Sequence, residues 1–194
     1  YKRQKLIHIS TDCVFSGKKG NYTEDDFRDA DDVYGRSKAL GEIINNKDLT
    51  IRTSIIGPEL KDNGEGLFHW FMHQSGKICG FRTAVWGGVT TLELAKAIDY
   101  ALDSGTTGLV HLSNGIGISK YDLLCMFEEI WQKQNVEITS CDANGVDKSI
   151  KKSLRFDYEV PIECCHFTSD SQQRRSCTEY GTHKSGLLHS PGAV

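Results

Sequence analysis

Lys5-Leu6-Ile7-His8-Ile9-Ser10-Thr11-Asp12-Cys13-Val14-Phe15-Ser16-Gly17 is the stretch on which the reading of this 194-residue chain turns. Leu6, Ile7 and Ile9 form a short apolar, β-branched run that stops at Ser-Thr-Asp. That length and composition predict a buried strand. Its carboxyl end delivers two hydroxyls and a carboxylate, and in open α/β sheets ligands bind at the carboxyl ends of strands. Thr11 also has a plainer reading, as a strand-end residue that hydrogen-bonds its own turn.

Outward from this strand, residues 17–32 are polar and acidic, with Glu24, Asp25, Asp26, Asp29, Asp31 and Asp32. Val33-Tyr34-Gly35-Arg36-Ser37-Lys38-Ala39-Leu40-Gly41-Glu42 comes next. It is predicted as a helix to about Asn46, with Gly41 kept where packing is close. Tyr34 and Lys38, four apart, share one helix face. An ammonium beside a phenol favours the phenolate and lowers the Tyr pKa from its ordinary value of about 10. Such a Tyr can give a proton to a carbonyl oxygen as hydride reaches the carbon. On spacing alone, a solvated helix face is the commoner explanation of Tyr-x-x-x-Lys.

The remaining elements alternate. Leu49 to Ile55 reads as a strand, Leu67 to Gln74 as a helix, and Thr90-Thr91 as the cap of a helix ending near Gly105. Leu109 to Leu112 is a short strand. Ser119 caps a helix over Tyr121 to Gln134, whose Leu123, Leu124, Phe127, Ile130 and Trp131 form a stripe. Val136 to Thr139 closes as a strand. The alternation predicts an α/β fold with a mainly parallel sheet.

The net charge of −3 offers no electrostatic case for nucleic acid or an anionic membrane. No apolar run reaches the ~18 residues of a membrane span, and no signal peptide opens the chain. The cysteine count is odd, at seven. Cys13, Cys79, Cys125 and Cys141 are expected as single reduced thiols in a cytoplasmic protein.

Taken together, Ser10-Thr11-Asp12-x-Val14-Phe15-x-Gly17, Tyr22-x-Glu24 and Tyr34-Gly35-x-Ser37-Lys38-x-x-Gly41-Glu42 resemble the extended short-chain dehydrogenase/reductases. The nearest branch is the dTDP-4-dehydrorhamnose reductase group. The likeness continues through Ile51-Arg52-Thr53-Ser54, Gly88-Val89-Thr90-Thr91-Leu92-Glu93-Leu94-Ala95 and Gly108-Leu109-Val110-His111-Leu112-Ser113, and fades after Pro161. The resemblance implies the trailing half of a Rossmann-type parallel sheet with a small α/β substrate-binding lobe. Residues 1–57 would be the C-terminal part of an NAD(P)-binding domain, 58–161 the lobe with interleaved sheet elements, and 162–194 a disordered or aberrant tail.

It also implies roles. Thr11 holds the substrate carbonyl, Tyr34 is the acid, and Lys38 grips the nicotinamide ribose while tuning Tyr34. Ser10 and Ser54 join them at NADPH or NADH, and Asp12, Arg52 and Trp86 join Thr11 at a nucleotide sugar. Arg52 has an equal alternative as a structural ion pair, and Trp86 as a core aromatic. A homodimer is compatible with this family. The implied reaction is reduction of a 4-keto group in surface-polysaccharide precursor synthesis. A sugar-nucleotide 4,6-dehydratase would carry Asp-Glu after the Thr, where this chain has Asp12-Cys13. An epimerase or a non-catalytic cofactor-binding regulatory subunit stays open. The Trp that many such reductases place after Arg-Thr-Ser is here Ile55, which leaves the sugar undetermined.

The family's strand, glycine-rich loop and helix for the pyrophosphate find no counterpart here. Gly64-x-Gly66 has His69 at the third glycine position and Gly115-x-Gly117 has Lys120, and neither comes after a strand in a βαβ unit. The expectation is therefore a C-terminal piece of a longer enzyme that binds NAD(P)H poorly alone. His69 and His73 stand one helical turn apart, but Trp70-Phe71-Met72 lacks the Glu of a zincin, so no metal is assigned. Cys164, Cys165, His166, Cys177 and His183 match no ligand spacing. A frame change near residue 162 is an alternative to a disordered tail.

Overall fold

In the computed structural model, residues 4–61, 63–142 and 145–161 are described. The expectations for residues 162–194 lie outside them. In chain order the elements are β1 (Ile7–Thr11), α1 (Val33–Leu40), β2 (Leu49–Thr53), β3 (Ile55–Ile56), α2 (Leu67–Met72), β4 (Gly76–Phe81), β5 (Val85–Trp86), β6 (Val89–Thr90), α3 (Thr91–Asp103), β7 (Gly108–His111), β8 (Ile118–Ser119), α4 (Lys120–Trp131) and β9 (Val136–Cys141).

The central sheet runs β1-β2-β7, all parallel. Parallel neighbours need a crossover, and helices supply it: α1 lies between β1 and β2, and α3 precedes β7. Leu49, Ile51, Val110 and Leu112 pack against Leu94, Ala97 and Ala101 of α3. The two alanines, both fully buried, let helix and sheet approach closely. Each buried Leu, Ile or Val there stabilises the fold by about 1.5–3 kcal/mol. A second core joins Phe71 of α2, Ile78 of β4, Trp86 of β5 and Leu123, Leu124 and Phe127 of α4. Around it stand three two-stranded pairs: β3 with β6 and β4 with β9, both parallel, and β5 with β8, antiparallel.

The helix starts obey their sequence signals. Thr90 Oγ1 accepts from Glu93 N at 3.1 Å to open α3, and Ser119 Oγ accepts from Asp122 N at 3.0 Å to open α4. The ends differ more. α1 stops at Leu40, well short of Asn46, because Gly41 N–H turns back to the Ser37 and Lys38 carbonyls. The residues after it are held by β2: Thr50 Oγ1 donates to Ile43 O at 2.7 Å and accepts from Ile43 N. α4 ends at Trp131, where Gln132 takes φ 49°.

One expectation is corrected outright. Cys79 and Cys141 are not single thiols but are joined by a disulfide, with Cα atoms 5.9 Å apart. The parallel β4–β9 pair opposes Cys79 to Thr139 and Phe81 to Cys141, and so brings together residues 62 apart in sequence.

Candidate active site

β1 and β2 end side by side, with Ser10 opposite Arg52 and Thr11 opposite Thr53. After Thr11 the chain makes a single 3-10 turn, Asp12–Val14. Thr11 caps it: its Oγ1 accepts from Cys13 N at 3.1 Å. The same hydroxyl donates to Asp12 Oδ1 at 3.1 Å. The plain reading of Thr11 as a residue bonded within its own turn is thus present in the structure.

α1 is pressed onto this turn. Asp32 caps the helix, its Oδ1 accepting from Gly35 N at 2.7 Å. That bond above all holds the Asp32 carboxyl below its usual range. A Cβ on Gly35 would fall 2.3 Å from Cys13 O and 2.6 Å from Ala30 Cβ, so only glycine permits the approach. Tyr34, the adjacent residue, is therefore carried to the turn after Thr11, and it is 56% exposed. One helical turn further on, Lys38 Nζ donates to Ile9 O at 2.7 Å, two residues before Thr11. The helix that carries Tyr34 and Lys38 is thus seated at the carboxyl end of β1, where Thr11 stands.

Asp12 is buried, at 6% exposure. Burial pushes its carboxyl up, against the Thr11 hydroxyl, the Cys13 N–H and the charge of Lys148. Burial also raises the Cys13 thiol, with the Asp12 charge adding to the effect.

Ser10 and Arg52 are committed elsewhere. Arg52 is 1% exposed and makes a two-pronged pair with Glu42, Nε to Oε1 at 2.7 Å and Nη2 to Oε2 at 2.8 Å. Ser10 Oγ donates to Glu42 Oε1 at 2.7 Å, and Arg28 Nη1 reaches Oε2 at 3.0 Å. Burial opposes ionisation of Glu42, but these donors outweigh it and hold the carboxyl below its usual range. Of the two readings left open for Arg52, the ion pair is the one observed. A guanidinium so enclosed does not grip a substrate phosphate.

The network continues to β7. Arg52 lies opposite His111, and Arg52 Nη1 donates to His111 Nε2 at 3.3 Å. Burial pushes the imidazole down to about 4, Arg52 adding to the effect and Glu24 opposing it. Glu24 Oε1 accepts from His111 N at 3.1 Å. Glu24, Glu42 and His111 were visible as sequence motifs, but nothing local gave them these roles.

Ser54 and Trp86 find each other: Trp86 Nε1 donates to Ser54 Oγ at 2.9 Å. Trp86 is 8% exposed and belongs to the second core, so the indole has packed as a core aromatic, not as a surface for a base or sugar. His73 Nδ1 bonds His69 O at 2.8 Å, with the two rings 4.3 Å apart. Among the described residues no three His, Cys, Asp or Glu side chains converge as metal ligands. No described helix is long and apolar enough to cross a membrane.

Neither glycine pair offers a phosphate cradle. The N–H groups of Glu65 and Gly66, ahead of α2, already bond the Glu59 carboxylate at 3.1 and 2.5 Å. Gly115 N bonds Ser113 Oγ at 3.0 Å.

A parallel sheet with Ser-Thr closing one strand and Tyr-x-x-x-Lys on the next helix is the architecture of the extended short-chain dehydrogenase/reductases. Within that class, the chain belongs to the RmlD substrate binding domain family, whose model matches residues 2–154. The spore coat polysaccharide biosynthesis protein SpsK of Bacillus subtilis (strain 168) is 34% identical over 123 residues, covering 61% of this chain and 43% of that protein. A hypothetical dTDP-4-dehydrorhamnose reductase from Sulfolobus tokodaii aligns with a TM-score of 0.66 at 27% identity, over 81% of this chain and 61% of that one. The dTDP-4-dehydrorhamnose reductase of Bacillus anthracis str. Ames, solved in complex with NADP, gives a TM-score of 0.70 at 19% identity, over 91% and 66%. At that identity the likeness shows the Rossmann-type fold alone. The chain spans less than two thirds of the length of each of these proteins.

Proposed function

We propose that the protein reduces the 4-keto group of a nucleotide-activated deoxysugar with NADPH or NADH, in the synthesis of a surface-polysaccharide precursor. The observation that supports this reading is the close seating of α1, the helix carrying Tyr34 and Lys38, on the turn after Thr11. Residues 1–57 would then supply the chemistry and 58–161 the sugar-binding lobe.

The residues fit the nicotinamide end of such a cofactor. Lys38 uses one of its three N–H donors on Ile9 O, which leaves two for ribose hydroxyls. Tyr34, one helical turn before Lys38, is 56% exposed. The N–H groups of Glu65, Gly66 and Gly115 are already bonded within the chain and are not offered to the pyrophosphate. The cofactor, when bound, supplies a hydride to the carbonyl carbon. Thr11 would hold the carbonyl oxygen, Tyr34 would give that oxygen its proton, and Lys38 would fix the ribose while favouring the phenolate left behind. Substrate contact is assigned to Thr11; Asp12, Ser10, Arg52, Ser54 and Trp86 act from behind, by shaping the strand ends. The Cys13 thiol, raised by burial, is not the carboxylate that dehydration would want at this position.

The test is oxidation of NADPH by dTDP-4-keto-6-deoxymannose, using the protein with its native flanking sequence. Tyr34→Phe should lower kcat by about 10²–10⁴-fold with KM little changed. If no keto-sugar nucleotide supports oxidation, the reductase reading fails and a cofactor-binding regulatory role takes its place.

A further inference from the structure

Thr11 has one hydroxyl hydrogen, and its hydrogen-bond partners limit where it can go. Oγ1 accepts from Cys13 N at 3.1 Å and donates to Asp12 Oδ1 at 3.1 Å. A hydroxyl whose hydrogen is held by a carboxylate cannot also donate it to a substrate carbonyl. Reduction of a keto sugar at this site requires that donation. We propose that Asp12 is a positioning residue that sets the direction of the Thr11 hydroxyl. Ionised, it holds the hydrogen; protonated, it donates its own hydrogen to Thr11 Oγ1 and turns the Thr11 hydrogen toward the carbonyl site. The role of the hydroxyl toward substrate rests on the reductase reading, but the Thr11–Asp12 linkage does not.

The hydrogen-bond count closes in both states. Thr11 Oγ1 has two acceptor positions and one donor. With Asp12 protonated, Cys13 N–H and the Asp12 O–H fill the acceptor positions, and the Thr11 hydrogen is released outward. With Asp12 ionised, one acceptor position empties and the hydrogen turns inward. The proton that Asp12 takes up comes from solvent, and no other bond is made or broken.

The surroundings favour a proton on Asp12. The residue is 6% exposed, and burial raises its carboxyl. Among the charged and titratable groups around it, Lys148 favours the anion; it comes from the segment packed across Gly17, where a Cβ would lie 3.1 Å from Lys148 Cγ. The Lys148 field also reaches Asp32, at the start of α1, and is shared between the two carboxylates. The Cys13 thiol stands beside Asp12 and is itself raised by burial and by the Asp12 charge. Tyr34 and Arg36 are the remaining titratable groups on the first turn of α1, and Arg36 Nε donates to Ala30 O at 3.2 Å.

Carboxyl ¹³C NMR on this chain, with the Asp12 signal assigned through Asp12→Asn, reads the linkage without substrate. Asp12 should titrate above the ordinary carboxylate value of about 3.9. Thr11→Val removes a donor to the anion and should raise the midpoint by about one unit, a tenfold change, while Thr11→Ser restores it. A midpoint unmoved by Thr11→Val overturns the proposal. In the reductase assay, kcat/KM should fall as pH rises through the NMR midpoint, and Asp12→Asn, whose amide donates at every pH, should lose that limb. Persistence of the limb in Asp12→Asn also overturns it. Linkage by NMR without any reductase activity would instead count against the function reading and leave the Asp12 control of Thr11 standing.

Discussion

Glu42→Gln should remove a large fraction of the stability of this fold. Four donors converge on the two Glu42 oxygens. Ser10 Oγ and Arg52 Nε meet Oε1, each at 2.7 Å, and Arg28 Nη1 and Arg52 Nη2 meet Oε2 at 3.0 and 2.8 Å. Glutamine keeps the shape but offers one oxygen, so its amide N–H₂ must face two of those donors whichever way it is turned. The charge is lost as well. At a separation of ~4 Å and an effective dielectric of about 20, one such pair is worth about 4 kcal/mol. What remains is a guanidinium at 1% exposure with no ionised partner in contact. Breaking a buried pair from one side costs about 3–5 kcal/mol. Domains of this kind have about 5–15 kcal/mol in total. Urea unfolding at pH 7, monitored by tryptophan fluorescence and circular dichroism, reads the loss as a lower midpoint at unchanged slope; with a slope of about 2 kcal/mol/M the shift is roughly 2 M. The double variant Glu42→Leu/Arg52→Met should recover most of it, since an apolar replacement of a buried pair is often neutral. A Glu42→Gln midpoint within ~0.5 M of wild type, at that same slope, would refute the reasoning.

His111 should make the chain acid-labile. It titrates at about 4 folded against 6.5 ordinarily. Above 6.5 both states are neutral. Between 6.5 and about 4 only the unfolded chain takes the proton, so stability falls as pH falls, by about 3 kcal/mol at about 1.4 kcal/mol per unit. His111→Gln should flatten the stability curve over that window relative to wild type, and parallel curves would refute the assignment. Gly35→Ala should cost about 1–3 kcal/mol by overpacking against Cys13 O and Ala30 Cβ, although alanine is the better helix former. Because Tyr34 moves with α1, kcat should fall too; a more stable, fully active variant would contradict the close seating of the helix.

Local signals alone could be read from the sequence. Thr90 and Ser119 announce their helices because a cap acts within three residues. β1 announces itself by its own β-branched run. The end of α1 was hidden because the residues just beyond Gly41 are held by another strand: Thr50 takes Ile43, and Arg52 takes Glu42. The fate of Arg52 was undecidable for the same reason, since an unpaired and a paired arginine look alike in sequence. The disulfide was missed because parallel pairing joins distant residues without leaving a periodic trace. The two-residue strands β3, β5, β6 and β8 are too short to show any alternation. Within the candidate site, Tyr34 and Lys38 were legible from one helix repeat, whereas the bond from Lys38 to Ile9 O needed the packing of α1 on β1.

Strand geometry separates support from chemistry at this site. Successive residues of a strand point to opposite faces. Ser10, Arg52 and His111 are register partners across β1, β2 and β7, and so lie in one row on one face. All three are buried, and Glu42 and Glu24 bind the row together. Thr11 and Thr53 form the next row, facing the other way. Thr53 Oγ1 donates to Leu112 O at 2.8 Å and is thereby committed to the residue that follows β7. Thr11 alone of these side chains has hydrogen bonds confined to its own turn, with Asp12 and Cys13. A group that must exchange its partner for a substrate oxygen belongs at such a position. The Ser10 row is too heavily bonded to release one; on the proposed function that row would support the site, and Thr11, bonded only within its own turn, would be its working end.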